Sequence, residues 1–271
     1  MRRRGQVTVA GLAGVGVLLG AMVAAGLSGT AGPSGRERGP DSAGTAAAAT
    51  PAPPVVLADC WVPADDGNVS LTTELAQRLT TVAATAGRRE LTAAVGSALY
   101  DASAGQAAAV TASLRGDPGT ERLTCSPSRL SVQPERMGPS GLTPRAQRLR
   151  RRWTEVFGPL PAGGFAPGGV SAGHVDSSSH YDGRAVDVFF RPHTDPEQRR
   201  RGRLFAQWLV AHAQELNILS VIYADQIWTS WAASLGWREY VHPSGDTTNA
   251  VLRHLDHVHV AVESGRPYRP R

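Results

Sequence analysis

The chain has 271 residues, which is room for one or two domains with a hydrophobic core. All 28 basic residues are arginines, and the formal net charge is +5. Three of them, Arg2, Arg3 and Arg4, lie at the N-terminus, and without them the net charge of +5 falls by 3 to +2. So small a charge gives no general affinity for polyanions, and we predict no nucleic-acid partner.

Residues 1–31 have the pattern of a targeting segment. Arg2, Arg3 and Arg4 precede an uncharged run from Val7 to Leu27, and small residues follow it. This order is typical of a secretory signal peptide, but the run is also about as long as one bilayer span. A cleaved signal peptide and an uncleaved membrane anchor both remain open. In either case the bulk of the chain is exported, to the extracellular space or cell wall or to the outer side of the membrane.

A flexible linker and a small module are predicted next. Residues 32–56 form the linker, because Gly29 to Pro54 contains no large apolar side chain to bury. Residues 57–126 form the module. Its Cys60 and Cys125 are the only cysteines in the chain, and in an oxidising compartment they predict one disulfide.

Helical spacing of apolar residues predicts three helices in this module. Ser70 is expected to cap the first helix and Gly87 to end it. By pattern alone the module resembles helix pairs of lysozyme-like wall modules in exported actinobacterial proteins, and the resemblance carries no catalytic residue. We interpret the module as a spacer or docking element. The predicted helices are Leu71–Ala86, Glu90–Ala102 and Gln106–Leu114.

A second linker, 127–142, is rich in turn-forming residues and leads into a second domain, 143–271. Thr143 and Pro144 predict a capped helix start, and the helix is expected to continue through Phe157.

The second domain is predicted to be α+β, a small and mostly antiparallel sheet with helices on one side. Asp195 predicts the start of another helix, and Asn217 its left-handed end. A short helix is expected at Thr247–His254. The predicted strands are Gly169–Ser171, Val186–Phe190, Ile218–Tyr223, Gln226–Trp228 and His257–Val262.

Two segments far apart in the sequence carry side chains that bind metals. The first holds His180 and Asp187, and Gly183 between them allows a backbone turn. In the second, His257 and His259 alternate with valines, so that both imidazoles share one strand face. Zinc hydrolases use three protein ligands of these kinds and leave a fourth position for water. The two segments together therefore predict an open zinc site.

These segments also match the pattern of a known metallopeptidase fold. Ser-x-His-x-x-Gly-x-Ala-x-Asp, followed far downstream by acid-x-x-His, resembles the zinc D-Ala-D-Ala carboxypeptidases. Lysostaphin-type enzymes and hedgehog signalling domains share that fold. The resemblance covers roughly residues 140–263. The pattern is filled by Ser178, His180, Gly183, Ala185, Asp187, Asp256 and His259.

The resemblance implies a role for each matching residue. His180, Asp187 and His259 correspond to the ligands of a Zn²⁺ ion. Asp256 takes the place of the general base that deprotonates the metal-bound water. His257 matches a histidine that stabilises the oxyanion, and Asp256 and His257 are thus the expected catalytic residues.

One departure from the family concerns substrate binding. Its members carry an arginine before the first histidine that holds the substrate carboxylate, and the segment Gly168–His174 has none. Arg184 inside the motif is a candidate substitute, and Ser178 is a second candidate for substrate binding. The alternative is a substrate without a free carboxylate.

The other histidines are not predicted to be zinc ligands. His212 lies on the apolar side of its helix and is predicted to be a core histidine with a satisfied hydrogen bond. His254 is left open between a further partner of the site and a cation at a helix end. Polar surface positions are assigned to His174, His193 and His242.

The predicted function is that of an exported zinc peptidase acting on cell-wall peptide stems, as a D,D-carboxypeptidase or an endopeptidase. Its partner would be a peptidoglycan peptide or another cell-wall peptide, with a membrane contact only through an uncleaved N-terminal segment. The alternative is a domain that retains the metal, binds wall peptides or a partner protein, and has little or no turnover.

Overall fold

The computed structural model describes residues 59–128 and 131–265. The predicted targeting segment 1–31 and the linker 32–56 lie outside the described residues. Within the described ranges, no helix combines the length and the apolar character that a bilayer crossing requires.

The described residues contain two antiparallel sheets and seven helices. The predicted α+β class is confirmed. The helices are α1 Thr73–Thr85, α2 Arg88–Ala98, α3 Ala104–Leu114, α4 Pro144–Phe157, α5 Pro196–Ala211, α6 Ala213–Leu216 and a 3-10 helix at Ser230–Leu235. The strands are β1 Cys60–Val62, β2 Val69–Leu71, β3 Thr124–Cys125, β4 Ala162–Gly163, β5 Ala185–Phe189, β6 Ile218–Tyr223, β7 Gln226–Thr229, β8 Arg238–Glu239 and β9 His257–Val262.

The smaller sheet has the order β2-β1-β3 and was not predicted from the sequence. It places Cys60 directly opposite Cys125 on neighbouring antiparallel strands. The predicted disulfide between them is confirmed. A disulfide of this kind points to an extracytoplasmic location.

The first helix starts later than predicted. Ser70 pairs with Trp61 inside β2, so it cannot cap the helix. The cap is Thr72, whose side chain accepts a hydrogen bond from the amide of Leu75 at 3.1 Å. Its position fits the preference of helix starts for a hydroxyl that binds an otherwise unpaired amide.

The larger sheet has the order β4-β5-β9-β6-β7-β8, with every neighbouring pair antiparallel. Helix α5 packs on one face of it, where Phe190 lies 5.6 Å from the ring of Phe205. The predicted caps of α4 and α5, Thr143 and Asp195, are confirmed. The helix predicted to run from Asp195 to Asn217 is divided at His212 into α5 and α6, and Asn217 ends α6 in the predicted left-handed conformation, with φ 54°.

Two predicted elements of this region are wrong. Gly169–Ser171 is not a strand, and the partner of β5 is instead Ala162–Gly163. Thr247–His254 forms successive turns rather than a helix. The side chains of Asp246 and Asn249 accept nearby backbone amides there, at 2.7 Å and 2.9 Å, and such local bonds compete with helix formation.

The module and the second domain share one hydrophobic core. Helix α1 packs against α5, and the buried Gln207 of α5 accepts hydrogen bonds from the Ser113 hydroxyl and the Leu123 amide, each at 2.8 Å. The described residues belong to a single compact unit. The domain boundaries drawn from the sequence stay a prediction.

Candidate metal centre

The central strand pair of the larger sheet brings the two sequence segments together. In the β5–β9 ladder Asp187 lies directly opposite His259. Their neighbours Val186, Val188 and Val260 are fully buried. Because side chains alternate along a strand, this pairing puts the acid and the imidazole on the same face, opposite the valines.

A tight turn before β5 positions His180. The hydroxyl of Ser178 accepts the His180 amide at 3.3 Å, and the Gly183 amide donates to the His180 carbonyl at 3.0 Å. Gly183 has a φ of 66°, and a Cβ there would lie 2.6 Å from the carbonyl oxygen of Gly141. Only glycine satisfies both conditions, which explains its place between the two donors.

A backbone carbonyl fixes the proton of the His180 ring. Its Nδ1 lies 2.8 Å from the carbonyl oxygen of Gly164. A carbonyl only accepts hydrogen bonds, so Nδ1 carries the proton and the Nε2 lone pair faces the site. Gly164 has a φ of 77°, and any Cβ there would overlap the His180 ring and lie 3.0 Å from Asp187 Oδ2. Apart from its place in a glycine-rich run, nothing in the sequence indicates the role of Gly164.

Three donor atoms, one each from His180, Asp187 and His259, lie close together. His180 Nε2 lies 3.0 Å from His259 Nδ1 and 3.3 Å from Asp187 Oδ1, and the latter two atoms are 3.1 Å apart. In a tetrahedral site with metal–ligand bonds of about 2.0–2.1 Å, neighbouring ligand atoms are about 3.3–3.4 Å apart. The observed triangle is close to that size and can hold a metal ion.

The electrostatics of the group favour a cation. Burial disfavours the charged form of Asp187, but its close contacts with the His180 and His259 rings outweigh it and hold the pKa of that carboxyl far below its usual range. Burial lowers the pKa of His259 and keeps its ring neutral. An ionised Asp187 carboxylate beside the neutral His259 ring favours a bound cation.

His174, interpreted from the sequence as a surface residue, lies in the site. His174, His180 and Asp187 form a group that could hold a metal ion, with one donor atom from each within 4.8 Å of the others. The His174 ring, however, stacks on His180 at 4.0 Å with an interplanar angle of 16°. Imidazole lone pairs lie in the ring plane, so two stacked rings do not both point at one ion. We therefore favour His259 as the third donor.

A second pair of residues lies beside the triangle. His257 Nδ1 is 2.8 Å from Asp256 Oδ1, and His257 Nε2 is 3.8 Å from Asp187 Oδ1. The other oxygen of Asp256, Oδ2, accepts Nε of Arg191 at 2.7 Å. Burial would raise the pKa of Asp256, but the bonds from His257 and Arg191 lower it overall. Both oxygens of Asp256 are thus engaged.

Arg191 was not predicted as a site residue, because no local sequence pattern connects it to Asp256. Its guanidinium also lies over the ring of Phe189, at 4.0 Å from the centroid, and its side chain is 54% exposed. An arginine with this exposure next to the donor group can contact a bound anion.

His254 packs behind the second pair. Its ring lies 4.6 Å from that of His257 and 5.8 Å from that of His259. Burial, followed by the neighbouring imidazoles, lowers the pKa of His254 to about 3. The ring is therefore neutral and supports the two histidines of β9 by packing.

The two candidates for substrate binding have other contacts. Arg184 donates to the Val262 carbonyl at 3.0 Å and to the carboxylate of Asp182 at 3.0 Å. Ser178 accepts the His180 amide. These contacts stabilise the turn and the edge of β9, and neither side chain joins the donor group.

A family model described as "VldE, C-terminal domain" matches residues 138–251. The matched range includes His180 and Asp187 and ends before Asp256, His257 and His259. Among curated proteins and among solved structures, none matches the chain.

Proposed function

We propose that the chain is an exported zinc-dependent peptidase that hydrolyses cell-wall peptide stems, as a D,D-carboxypeptidase or an endopeptidase. The observation that carries the proposal is the triangle of His180 Nε2, His259 Nδ1 and Asp187 Oδ1, with edges of 3.0 to 3.3 Å. Resemblance to the zinc D-Ala-D-Ala carboxypeptidases supports the substrate class. The Cys60–Cys125 disulfide supports an extracytoplasmic place of action.

Two imidazole nitrogens and one carboxylate oxygen suit Zn²⁺, which accepts both ligand types in tetrahedral sites. His180, Asp187 and His259 would hold the ion and leave one position for water. A zinc ion held there would supply a Lewis acid for hydrolysis. The hydrogen bond from His180 to Gly164 orients the ring for this task.

We assign proton transfer to His257 and a positioning role to Asp256. The Asp256 carboxylate holds Nδ1 of His257, which directs Nε2 toward the donor triangle. Asp256 itself is a weak base, because its pKa is lowered and Arg191 binds its second oxygen. The family pattern gives the base role to the acid, and the contacts of Asp256 favour the reverse division.

Arg191 is the proposed anchor for the substrate carboxylate. It is largely exposed, stacks on Phe189 and lies beside the Asp256–His257 pair. An arginine fork binds a carboxylate through two parallel hydrogen bonds. Arg191 would thereby replace the arginine that the segment Gly168–His174 lacks.

Zinc content and hydrolysis test the proposal together. The full chain should bind one zinc ion and cleave a peptide ending in D-Ala-D-Ala, and a chelator should stop cleavage. His180→Ala should lose both zinc and cleavage, because it removes one donor. His242→Ala should keep both, since the ring of His242 bonds Ser244 and is not one of the three donors. A zinc-loaded protein that leaves terminal and cross-linked wall peptides uncut would overturn the peptidase claim.

A binding domain without turnover is the second candidate. The observation that favours it is the engagement of both Asp256 oxygens, by His257 and Arg191, beside a His180 ring that His174 covers. In that case the zinc-loaded protein binds wall peptides and releases them unchanged.

A further inference from the structure

A separate pocket lies between the small sheet and the end of the larger one. It has a volume of about 390 Å³, within the range of roughly 300–1,000 Å³ that is usual for small-molecule sites. None of its lining residues belongs to the candidate metal centre. The lining residues that matter here are Trp61, Thr120, Arg122, Gln226, Ser234 and Trp237.

Arg122 is the unusual member of this lining. It is only 9% exposed, and its Nη1 donates to the Tyr223 carbonyl at 3.1 Å. The guanidinium lies 4.8 Å from the ring centre of Trp237 and 5.8 Å from that of Tyr223. Within residues 59–128 and 131–265, no carboxylate forms an ion pair with it. Burial, and then the charge of Arg203, lower its pKa to about 10.

Arg122 is a mostly buried cation that no carboxylate contacts directly, and the nearby charges of Asp225 and Glu121 offset the cost of its burial only in part. Arginine offers five N–H donors in a planar fork, and the Tyr223 carbonyl uses one nitrogen. A bound anion would supply the missing partner. Because a monoanionic carboxylate matches the fork in shape and charge, it fits this position.

The other lining residues limit the chemical class of ligand that suits this pocket. Trp61 and Trp237 present aromatic surface, and Thr120, Gln226 and Ser234 offer hydroxyl and amide groups. Aromatic faces beside such polar groups suit a sugar ring. Glu121, which is exposed at the same pocket, would repel a phosphate dianion more strongly than a carboxylate.

We propose that this pocket binds a sugar that carries a carboxylate, with Arg122 as the anion contact. The site is independent of the metal centre, so binding persists when zinc is removed and when the peptidase proposal fails. The carboxylate accepts the free N–H groups of Arg122, and the ring lies against Trp61 or Trp237.

Titration calorimetry on the full chain tests the pocket with paired probes. D-glucuronate and D-glucose share a ring and differ in the carboxylate, and glucuronate should bind at least about tenfold more tightly. N-acetyl-dialanine supplies a carboxylate without a sugar, and glucose 6-phosphate supplies a dianion. Both should bind more weakly than glucuronate.

Two variants should each weaken glucuronate binding at least about tenfold. Arg122→Met removes the fork, and Thr120→Glu, at the half-buried pocket wall, adds a repelling charge while Arg122 stays in place. The matched controls are Arg150→Met, a cation over Phe165 outside the pocket, and the exposed Thr154→Glu. Both controls should bind like the wild type.

Equal affinity for glucuronate and glucose would overturn the anion contact. Once a chelator has removed zinc, tighter binding of the dipeptide or of the phosphate than of glucuronate would overturn the ligand class. Undiminished glucuronate binding by folded Thr120→Glu would show that the carboxylate does not enter this pocket. A chelator-sensitive signal would place the binding at the metal centre instead.

Discussion

One cross-strand pair in each of the two sheets links neighbouring strands, and the two pairs do so by different means. In the small sheet Cys60 faces Cys125 across β1 and β3, and a covalent bond joins them. In the large sheet Asp187 faces His259 across β5 and β9, and the two side chains meet His180 around a point that can hold a cation. Each pair joins residues that are distant in the sequence. The disulfide depends on redox conditions, whereas the contact of Asp187 with His259 depends on a shared proton or a bound cation.

A similar backbone arrangement thus places a covalent link in one sheet and a group of metal-binding side chains in the other. The disulfide needs only the two opposed positions. The donor group needs further support: a turn at Gly183, a carbonyl and an open space at Gly164, and the Asp256–His257 pair alongside. Substitutions at these supporting residues should weaken metal binding and leave the disulfide unchanged.

The largest effect is expected at Gly164. In Gly164→Ala the new Cβ would overlap the His180 ring, so zinc affinity should fall at least about 100-fold, the upper part of the range for lost supporting contacts. Gly168→Ala is the matched control, because Gly168 also has a positive φ, 82°, but a Cβ there meets nothing within 4 Å. Competition with a zinc chelator measures both. Equal affinities in the two variants would contradict the role of Gly164.

Removal of the disulfide should affect stability and leave the metal centre intact. The Cys60→Ser/Cys125→Ser variant opens a loop with a sequence separation of 65 residues. The free energy of unfolding should fall by about 2–4 kcal/mol in urea titrations. Zinc stoichiometry should stay at that of the wild type. A variant that folds stably and has lost zinc would show that the disulfide and the metal centre are coupled.

The cap of α4 should have a smaller effect. Thr143 accepts the Ala146 amide at 3.3 Å, and its own amide donates to the Gly183 carbonyl at 2.9 Å. Thr143→Ala should lower the free energy of unfolding by about 1 kcal/mol, since it leaves a helix-start amide without its partner. Ser70→Ala, at an exposed position in β2, is the control and should change stability little. A larger loss at Ser70 would reinstate it as the cap that the sequence predicted.

The smallest effect concerns pH. Burial lowers the pKa of His212, which lies against Trp208 away from the metal centre. The unfolded chain, with a histidine pKa of about 6.5, therefore binds the proton more readily. Stability from this residue is fully present above that pH and decreases as the pH falls through it, by less than about 1.4 kcal/mol per pH unit.

His212→Gln should accordingly make the decline of stability between pH 6.5 and about 5 less steep. His242→Gln, which changes a histidine on a surface loop, should leave the slope unaltered. Denaturant titrations across this range supply the slopes. Identical slopes for wild type and His212→Gln would refute the argument.

Local signals made part of this fold predictable. A hydroxyl or carboxylate followed by proline marked the starts of α4 and α5, and alternating valines marked β9. Strands of two or three residues, such as β1 and β3, have no readable period, so the small sheet was missed. Two motifs together predicted the approach of His180, Asp187 and His259. The contributions of Gly164, His174 and Arg191 depend on contacts between distant segments, which spacing does not reveal.

We expect His180, Asp187 and His259, rather than His174, to hold a metal ion. Zinc titration of the full chain against a competing chelator compares His259→Ala with His174→Ala. The donor triangle predicts one tightly bound zinc ion in wild type and in His174→Ala, and loss of tight binding in His259→Ala. Loss of zinc in His174→Ala with retention in His259→Ala would contradict the claim.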